Sequence, residues 1–596
     1  MKRFLLFSFL MSGTVCFGQM NTAVLELIDA IVQINSNGVL FNNFANSSGG
    51  YEAPANSGNS AVFNASLWIG GMDPEGHLHV TAITYCQESV PAFCEYFPGP
   101  LTADGSVSST AESALEFGRI WLISRGEVEA HEAYYDCVND PDCNAETEFP
   151  GYTIPLSILQ WPAHGDVSAG FAYHLAPFID ADGDGSYQPE NGDYPSFPGD
   201  NAAYMIWNDN AGPHTDSNGL PLGVEVHTMM YYYLDSNPAL SRTIYVHQDI
   251  INRSQVDYHD VYFGIRNDFD LGNPVNDYAG TNVEHAFIFA KNGSWDGGSY
   301  AGPGYGSTPV RIACKVLAGP YADANGEDDA GPFDGNQEYG NYTKGWNDGI
   351  VDNERLGLSS STYVNNMSGP TGDPVFEEGF YELMKANFSD GTPVTFGGMG
   401  YNPTAPIPPT AKYVFPGDSD PYHMGTDFVD PDYPLPGGWT EDNEEHTPGD
   451  RRMHANLGPV SLNAGQKQSI DYVYVFATQT DDPDTDIDSL LVDYVITAAE
   501  HPDELPTGVL TSLTSIDKNE LRFGLYPNPA KNEVIVSLSG NVPVSYRIYN
   551  ILGAEVKRGV LNSGETVIDI SQLKDGIYLV SVQAGNIVGT QKLVVR

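Results

Sequence analysis

Basic residues are what this 596-residue chain lacks most: 26 Lys and Arg stand against 78 Asp and Glu, a formal net charge of −52. A field of that sign repels anionic membrane surfaces, excludes nucleic acid as a partner, and fits divalent cations or a chain adapted to salt. Cysteine is scarce as well, with six residues, and none has the CxxC spacing that supports a zinc site or a Cys-His spacing typical of a cysteine hydrolase. Past the N-terminus no apolar run approaches the ~18 residues of a membrane-spanning helix, so the mature protein is expected to be soluble and to carry no transmembrane anchor. Catalytic signatures are missing: there is no G-x-S-x-G elbow, no H-E-x-x-H, no phosphate loop and no dinucleotide glycine pattern. His131-Glu132 has no second His, which leaves His164 with Asp166 and Asp209 with His214 as acid-base candidates. A His in a Gly- or Pro-flanked turn is more often a hydrogen-bonding loop residue.

What is abundant is turn chemistry and aromatic residues, with Gly 63, Pro 41 and Tyr 35. Alternating apolar segments recur between Gly, Asn, Asp and Pro clusters, at 64–70, 77–85, 119–124, 223–234, 241–254, 260–266, 285–290 and 469–478. These read as strands. The expected fold is therefore mostly all-β, a large β-sandwich-like body with few helices. Helix spacing occurs at 375–388 and at 486–500, the latter stopped before Pro502, while 22–34 fits either period.

The chain divides by composition. Met1-Lys2-Arg3, an apolar stretch at 4–10, and small residues at Cys16 and Gly18 read as a signal peptide over 1–18. Residues 19–503 form the acidic body, with room for two subdomains, and 504–516 loosen into a Pro, Thr, Ser and Gly linker. Residues 517–596 show about seven short strand signals, the spacing of a small Ig-like β-sandwich. From Ile516 onward nine basic residues face seven acidic ones, so this end carries +2 and the rest −54. Export permits disulfides, and the short separations point to Cys86–Cys94 and Cys137–Cys143 with Cys314 unpaired. Four cysteines already allow three connectivities.

The tail has an ordered set of blocks: Leu525-Tyr526-Pro527-Asn528-Pro529-Ala530, then 544–553 (VSYRIYNILG), 568–582 (IDISQLKDGIYLVSV) and Gln591-Lys592-Leu593-Val594-Val595-Arg596. This order resembles the type A C-terminal sorting domain of Bacteroidota type IX secretion substrates. The resemblance implies Sec export, outer-membrane passage by the type IX machinery, and cleavage of the tail by a sortase-like peptidase, followed by release or attachment to surface lipopolysaccharide. The body, with Leu67-Trp68-Ile69-Gly70-Gly71, Phe97-Pro98-Gly99-Pro100-Leu101, Gly192-Asp193-Tyr194-Pro195, 348–354 (DGIVDNE) and Pro448-Gly449-Asp450-Arg451-Arg452, looks like a large body found in many such substrates. That second resemblance implies location and architecture but no reaction.

The clearest chemistry lies in Asp180-Ala181-Asp182-Gly183-Asp184-Gly185-Ser186. Carboxylates at loop positions 1, 3 and 5 converge on a hard cation, Gly at position 6 permits the sharp turn, and the Ser186 carbonyl supplies a further ligand. Position 12 is Asn191 rather than Glu, so closure is expected from Glu190 or Asp193. That departure makes the loop similar to dockerin-like and thrombospondin-like calcium loops outside a helix-loop-helix. Calcium is preferred to magnesium, which keeps its waters and favours phosphate. Weaker candidates are Asp268, Asp270 and Asp277; a cluster of Asp323, Asn325, Glu327, Asp328 and Asp329; and Asp348, Asp352 and Glu354. Asp450-Arg451-Arg452, a basic spot in an acidic body, reads as a buried Arg-carboxylate brace. Two functions are compatible with this: a calcium-stabilised surface protein acting in adhesion or envelope interaction without catalysis, and a secreted hydrolase acting on polysaccharide. A cleft gathering aromatic rings and carboxylates would favour the second.

Overall fold

The computed structural model describes residues 21–502 and 523–596, apart from 45, 86–94, 106–115, 300–301, 332–343, 405–408, 539–543, 551–554, 562–563, 575 and 585–586. The signal peptide, the linker and the Cys86–Cys94 pair expected from the sequence lie outside the described residues.

Two large antiparallel sheets dominate the body, beside a four-stranded sheet of Thr22–Glu26, Ile31–Asn35, Tyr51–Glu52 and Ser60–Val62 and two short two-stranded pairs. The larger runs in the order Trp121–Ser124, Asn201–Asn208, Val224–Tyr232, Ile244–Asn252, Lys467–Thr478, Val310–Ala318, Phe287–Asn292 and Asp277–Asn282, with Phe97–Pro98 also paired to Asn201–Asn208. The smaller runs Ser360–Asn365, Arg451–Leu462, Tyr258–Asp268, Asn64–Met72 and Leu78–Thr81. Side chains alternate along each strand. Asn201–Asn208 sends Ala203, Met205 and Trp207 into the core between the sheets, and Ala202, Tyr204 and Ile206 to the opposite face. Lys467–Thr478 does the same with Tyr472, Tyr474 and Phe476 against Val473, Val475 and Ala477. Strands buried on both faces lose the polar alternation of a half-exposed sheet, which is why these read as nearly continuous apolar runs.

Helices close the two outer faces. Ile487–Glu500 places Leu490, Leu491, Val495 and Ala498 on the larger sheet, and Asp486 caps it by accepting the N–H groups of Asp488 and Ser489. Glu377–Met384 lays Phe380, Leu383 and Met384 over Trp68 and Val80 of the smaller sheet. Each fully buried side chain of this size is worth roughly 1.5–3 kcal/mol. A third helix, Arg125–Asn139, was not expected from apolar spacing. Its signal was the Ser124-x-x-Glu127 capping box, whose reciprocal bonds are both formed. Cys137 in its last turn and Cys143 just past its end form a disulfide, and Cys314 is free and buried. The ambiguous stretch at 22–34 becomes a hairpin of Thr22–Glu26 and Ile31–Asn35.

A short crossover joins the two sheets. The chain leaves the smaller sheet at Asp268 and enters the larger one at Asp277. At that corner Asp268 lies opposite Asn64 on one side and Arg452 on the other, and Asp277 bridges to Gly449. The tail is a separate β-sandwich of three strands facing four, with its own core of Val534, Val536, Ile548, Val580 and Leu593. Among the described residues no helix is long and apolar enough to cross a membrane.

Candidate metal centre

Residues 180–193 are the connection of a short hairpin in which Phe178–Ile179 pairs with Tyr194–Pro195. Phe178 and Tyr194 pack against the outer core of the larger sheet, which fixes both ends of the loop. Between them the backbone winds around carboxylates. Asp180 Oδ1 accepts the N–H groups of Gly183 (2.8 Å) and Asp184 (3.2 Å), and its Oδ2 accepts that of Gly185 (2.7 Å). Gly183 and Gly185 hold φ values of 73° and 82°, a region glycine enters without penalty. Asp193 reaches back from the far end, accepting from the Ala181 N–H (2.8 Å) and the Gln188 N–H (2.7 Å).

The result is convergence. Carboxylate oxygens of Asp180, Asp182 and Asp193 lie within 4.8 Å of one another. Asp180 Oδ1 accepts two N–H groups, but Asp180 Oδ2 and both oxygens of Asp193 accept one each and keep a further lone pair, so the loop is stiffened without being consumed. Burial pushes Asp193 up to about 6, and Asp180 is raised for the same reason. Of the other expected carboxylates, Asp184 and Glu190 lie outside this trio: Asp184 accepts from the Ser186 N–H and the Gln188 amide, and Glu190 is exposed. Asn191 turns its amide N–H onto Asp182 Oδ2 (3.1 Å), so Asp193 brings the carboxylate that position 12 does not.

The neighbouring histidine is committed. His164 Nε2 accepts the Tyr187 N–H (2.8 Å), Nδ1 lies 3.2 Å from the Tyr173 carbonyl, and burial pushes its pKa down to about 4. Asp166 caps the turn at Val167–Ala169, so the two do not form an acid-base pair. His214 Nε2 donates to the Asp209 carbonyl (2.6 Å), while the Asp209 carboxylate accepts from the Leu222 and Val224 N–H groups; both side chains are buried. These are backbone supports. Tyr173, whose ring stacks on His164 at 4.0 Å, also stacks at 4.4 Å on Tyr526 at the start of the tail.

The weaker candidates sort differently than their spacing implied. Asp268 and Asp270 meet Asp450, about 180 residues downstream by the numbering, again with oxygens within 4.8 Å, and Asp277 stands outside that trio although fully buried. Arg452 forms the expected brace, with Asp268 (3.2 Å), Asp373 (3.1 Å) and Asp450 (3.2 Å). The remaining two clusters fold onto each other: Asp352 accepts from the Asn325 and Gly326 N–H groups, Glu354 from Asp329, and Asp328 from Gly349. Asp323 leaves this group and accepts from Ser461, while Asp348 accepts the Asn353 amide. Spacing alone had no means of pairing 268–270 with 450, or 325–329 with 348–354.

A cleft of about 550 Å³ opens where helix Glu377–Met384 meets the smaller sheet, lined by Asp260, Tyr262, Glu378, Tyr381, Glu382 and Lys385 among others. Glu382 is paired with Lys385 (2.9 Å), and the Tyr381 hydroxyl donates to the Asp260 carbonyl (2.7 Å).

Comparison with known proteins bears on the tail. Residues 524–596 match the family described as the secretion system C-terminal sorting domain. No curated protein matches the chain. Among solved structures a polysaccharide lyase is similar at 7% identity and a TM-score of 0.17, over 62% of this chain and 34% of that one. The chain thus spans about a third of the lyase's length, and a likeness of that size carries no argument. The sorting domain makes the chain a type IX secretion substrate, bound for the cell surface or the extracellular space.

Proposed function

We propose that the body is a calcium-stiffened surface or extracellular protein that acts in adhesion or envelope interaction without catalysing a reaction. The observation that carries this reading is the hairpin loop whose backbone amides draw Asp180, Asp182 and Asp193 together. Its donors are all oxygens, the chemistry of a hard cation, and three clustered carboxylates suit calcium better than magnesium. The tail addresses the chain to the type IX machinery, a sortase-like peptidase removes it, and the body is released or joined to surface lipopolysaccharide. Calcium should raise the melting temperature of chelator-treated protein, by about 2.7 kcal/mol of added stability at a free concentration 100 times Kd. Asp182→Ala with Asp184→Ala should remove much of that gain; a melting curve indifferent to chelator in the unmutated chain overturns the reading. The intact mass of the secreted protein should lack most residues after about 516.

A second reading rests on the cleft beside helix Glu377–Met384, which sets two tyrosine rings near three carboxylates. In it the protein is a hydrolase acting on polysaccharide. We favour the first because Glu382 is already neutralised by Lys385 and the Tyr381 hydroxyl is engaged. Release of reducing ends from a polysaccharide panel, abolished in Glu378→Gln, would reverse that preference.

A further inference from the structure

The corner where the chain crosses between the two sheets holds more negative charge than the protein answers. Five carboxylates gather there, those of Asp268, Asp270, Asp277, Asp373 and Asp450, and two guanidinium groups face them, Arg266 and Arg452. The donors are distributed unevenly. Tyr85 Oη, Arg452 Nε and Arg266 Nη2 all approach Asp268 through Oδ2, at 2.5, 3.2 and 3.6 Å. Oδ1 of the same carboxylate has no hydrogen-bond partner, although Asp268 is only 1% exposed. Asp277, at 0% exposure, repeats the pattern: Oδ2 accepts the Leu271 N–H (3.0 Å) and Oδ1 accepts nothing. A buried carboxylate oxygen without a donor costs free energy unless a cation or a proton meets it.

From this geometry we infer that Asp268, Asp270 and Asp450 bind a divalent cation in the corner between the two sheets, a site separate from the hairpin loop and independent of it. Phe269 and Leu271 anchor the connecting segment in the core, leaving the carboxylates of Asp268 and Asp270 to close on Asp450 from the start of strand Arg451–Leu462. Asp270 holds φ 44°. The all-oxygen donor set favours a hard ion such as calcium. The arginines would leave the ion in place: they occupy Asp268 Oδ2, Asp373 and one side of Asp450, Asp268 Oδ1 stays without a partner, and five carboxylates counted as ionised still exceed the two guanidinium groups by three.

Chelator-treated full-length protein, titrated with calcium and with magnesium, should retain one ion more than either Asp270→Asn or Asp450→Asn, counted by native mass spectrometry. The thermal shift gives an opposite sign for the alternative. If protons rather than a cation satisfy the corner, Asp270→Asn relieves repulsion, raises the melting temperature and leaves calcium dependence unchanged, which overturns the inference. Should these variants fail to fold, Asp182→Ala with Asp184→Ala, intact at the corner, must still hold an ion. If it holds none, the corner does not bind one, whereas an unmutated chain that loses only one ion in that double variant separates failure here from failure at the loop.

Discussion

Two buried carboxylate groups within the body are handled in opposite ways. On the larger sheet Asp249 and Asp471 are met by the protein's own cations: His247 touches both (3.4 and 2.8 Å), Lys467 reaches Asp249 (3.2 Å) and Arg355 reaches Asp471 (3.0 Å). At the corner between the sheets five carboxylates share two arginines. Burial is similar in the two places, so depth does not distinguish them. Charge balance does: the first network is complete as folded, while the second is complete only with a cation or protons from outside.

The comparison is broken most sharply at Arg452. Replacing it with Ala strips the corner of the guanidinium that touches three carboxylates, and should cost about 3–5 kcal/mol in denaturant midpoints, the range for a buried ion pair left half-made. Calcium should recover part of that loss at the corner and none of a loss made at Arg355. Next comes pH. Burial opposes charge on His247, but Asp471 and Asp249 outweigh it and push its pKa up to about 9. A raised pKa means the folded state holds the proton more tightly. The stabilisation is therefore full below about 6.5 and lost as pH rises through 9, by at most about 1.4 kcal/mol per pH unit. His247→Gln should flatten that decline, measured by urea unfolding between pH 6 and 10, with calcium dependence unaltered. The smallest effect is expected at Ser124, where loss of the capping box by Ser124→Ala should cost about 1 kcal/mol. That change tests whether helix Arg125–Asn139, whose Glu132 accepts from Tyr194 beside the hairpin loop (3.3 Å), supports the loop at all: a calcium affinity that falls with it would say so.

Much of this was legible in the sequence, and the reason is locality. The loop at 180–193 is one contiguous stretch, so Asp-x-Asp-x-Asp-Gly spacing marks it as a candidate; with Asn191 at position 12 the spacing left Glu190 and Asp193 as alternatives, and only the folded loop brings Asp193 beside Asp180 and Asp182. Strands such as Glu533–Leu538 and Lys467–Thr478 declare themselves by apolar content. The corner was only half visible. Asp268 and Asp270 stand out as an acidic pair, but Asp450 joins them through the pairing of strand Arg451–Leu462 with Tyr258–Asp268, a long-range register that no local pattern encodes. Helix Arg125–Asn139 was missed because Glu, His and Tyr blur its apolar stripe; only Val128, His131 and Cys137 are buried.

The pairing of Asp268 with Arg452 also sets an order of events. Their contact spans 184 residues, and closing so long a loop comes late because its entropy must be met before the contact rewards it. An ion held by Asp450 and Asp270 together cannot bind until strand Arg451–Leu462 has docked, so it enters a nearly finished body. Ligands of that kind leave the folding rate alone and slow unfolding. For a chain that works outside the cell, the corner would then act as a clock set by the surrounding medium, lengthening the lifetime of each molecule in proportion to the calcium it meets.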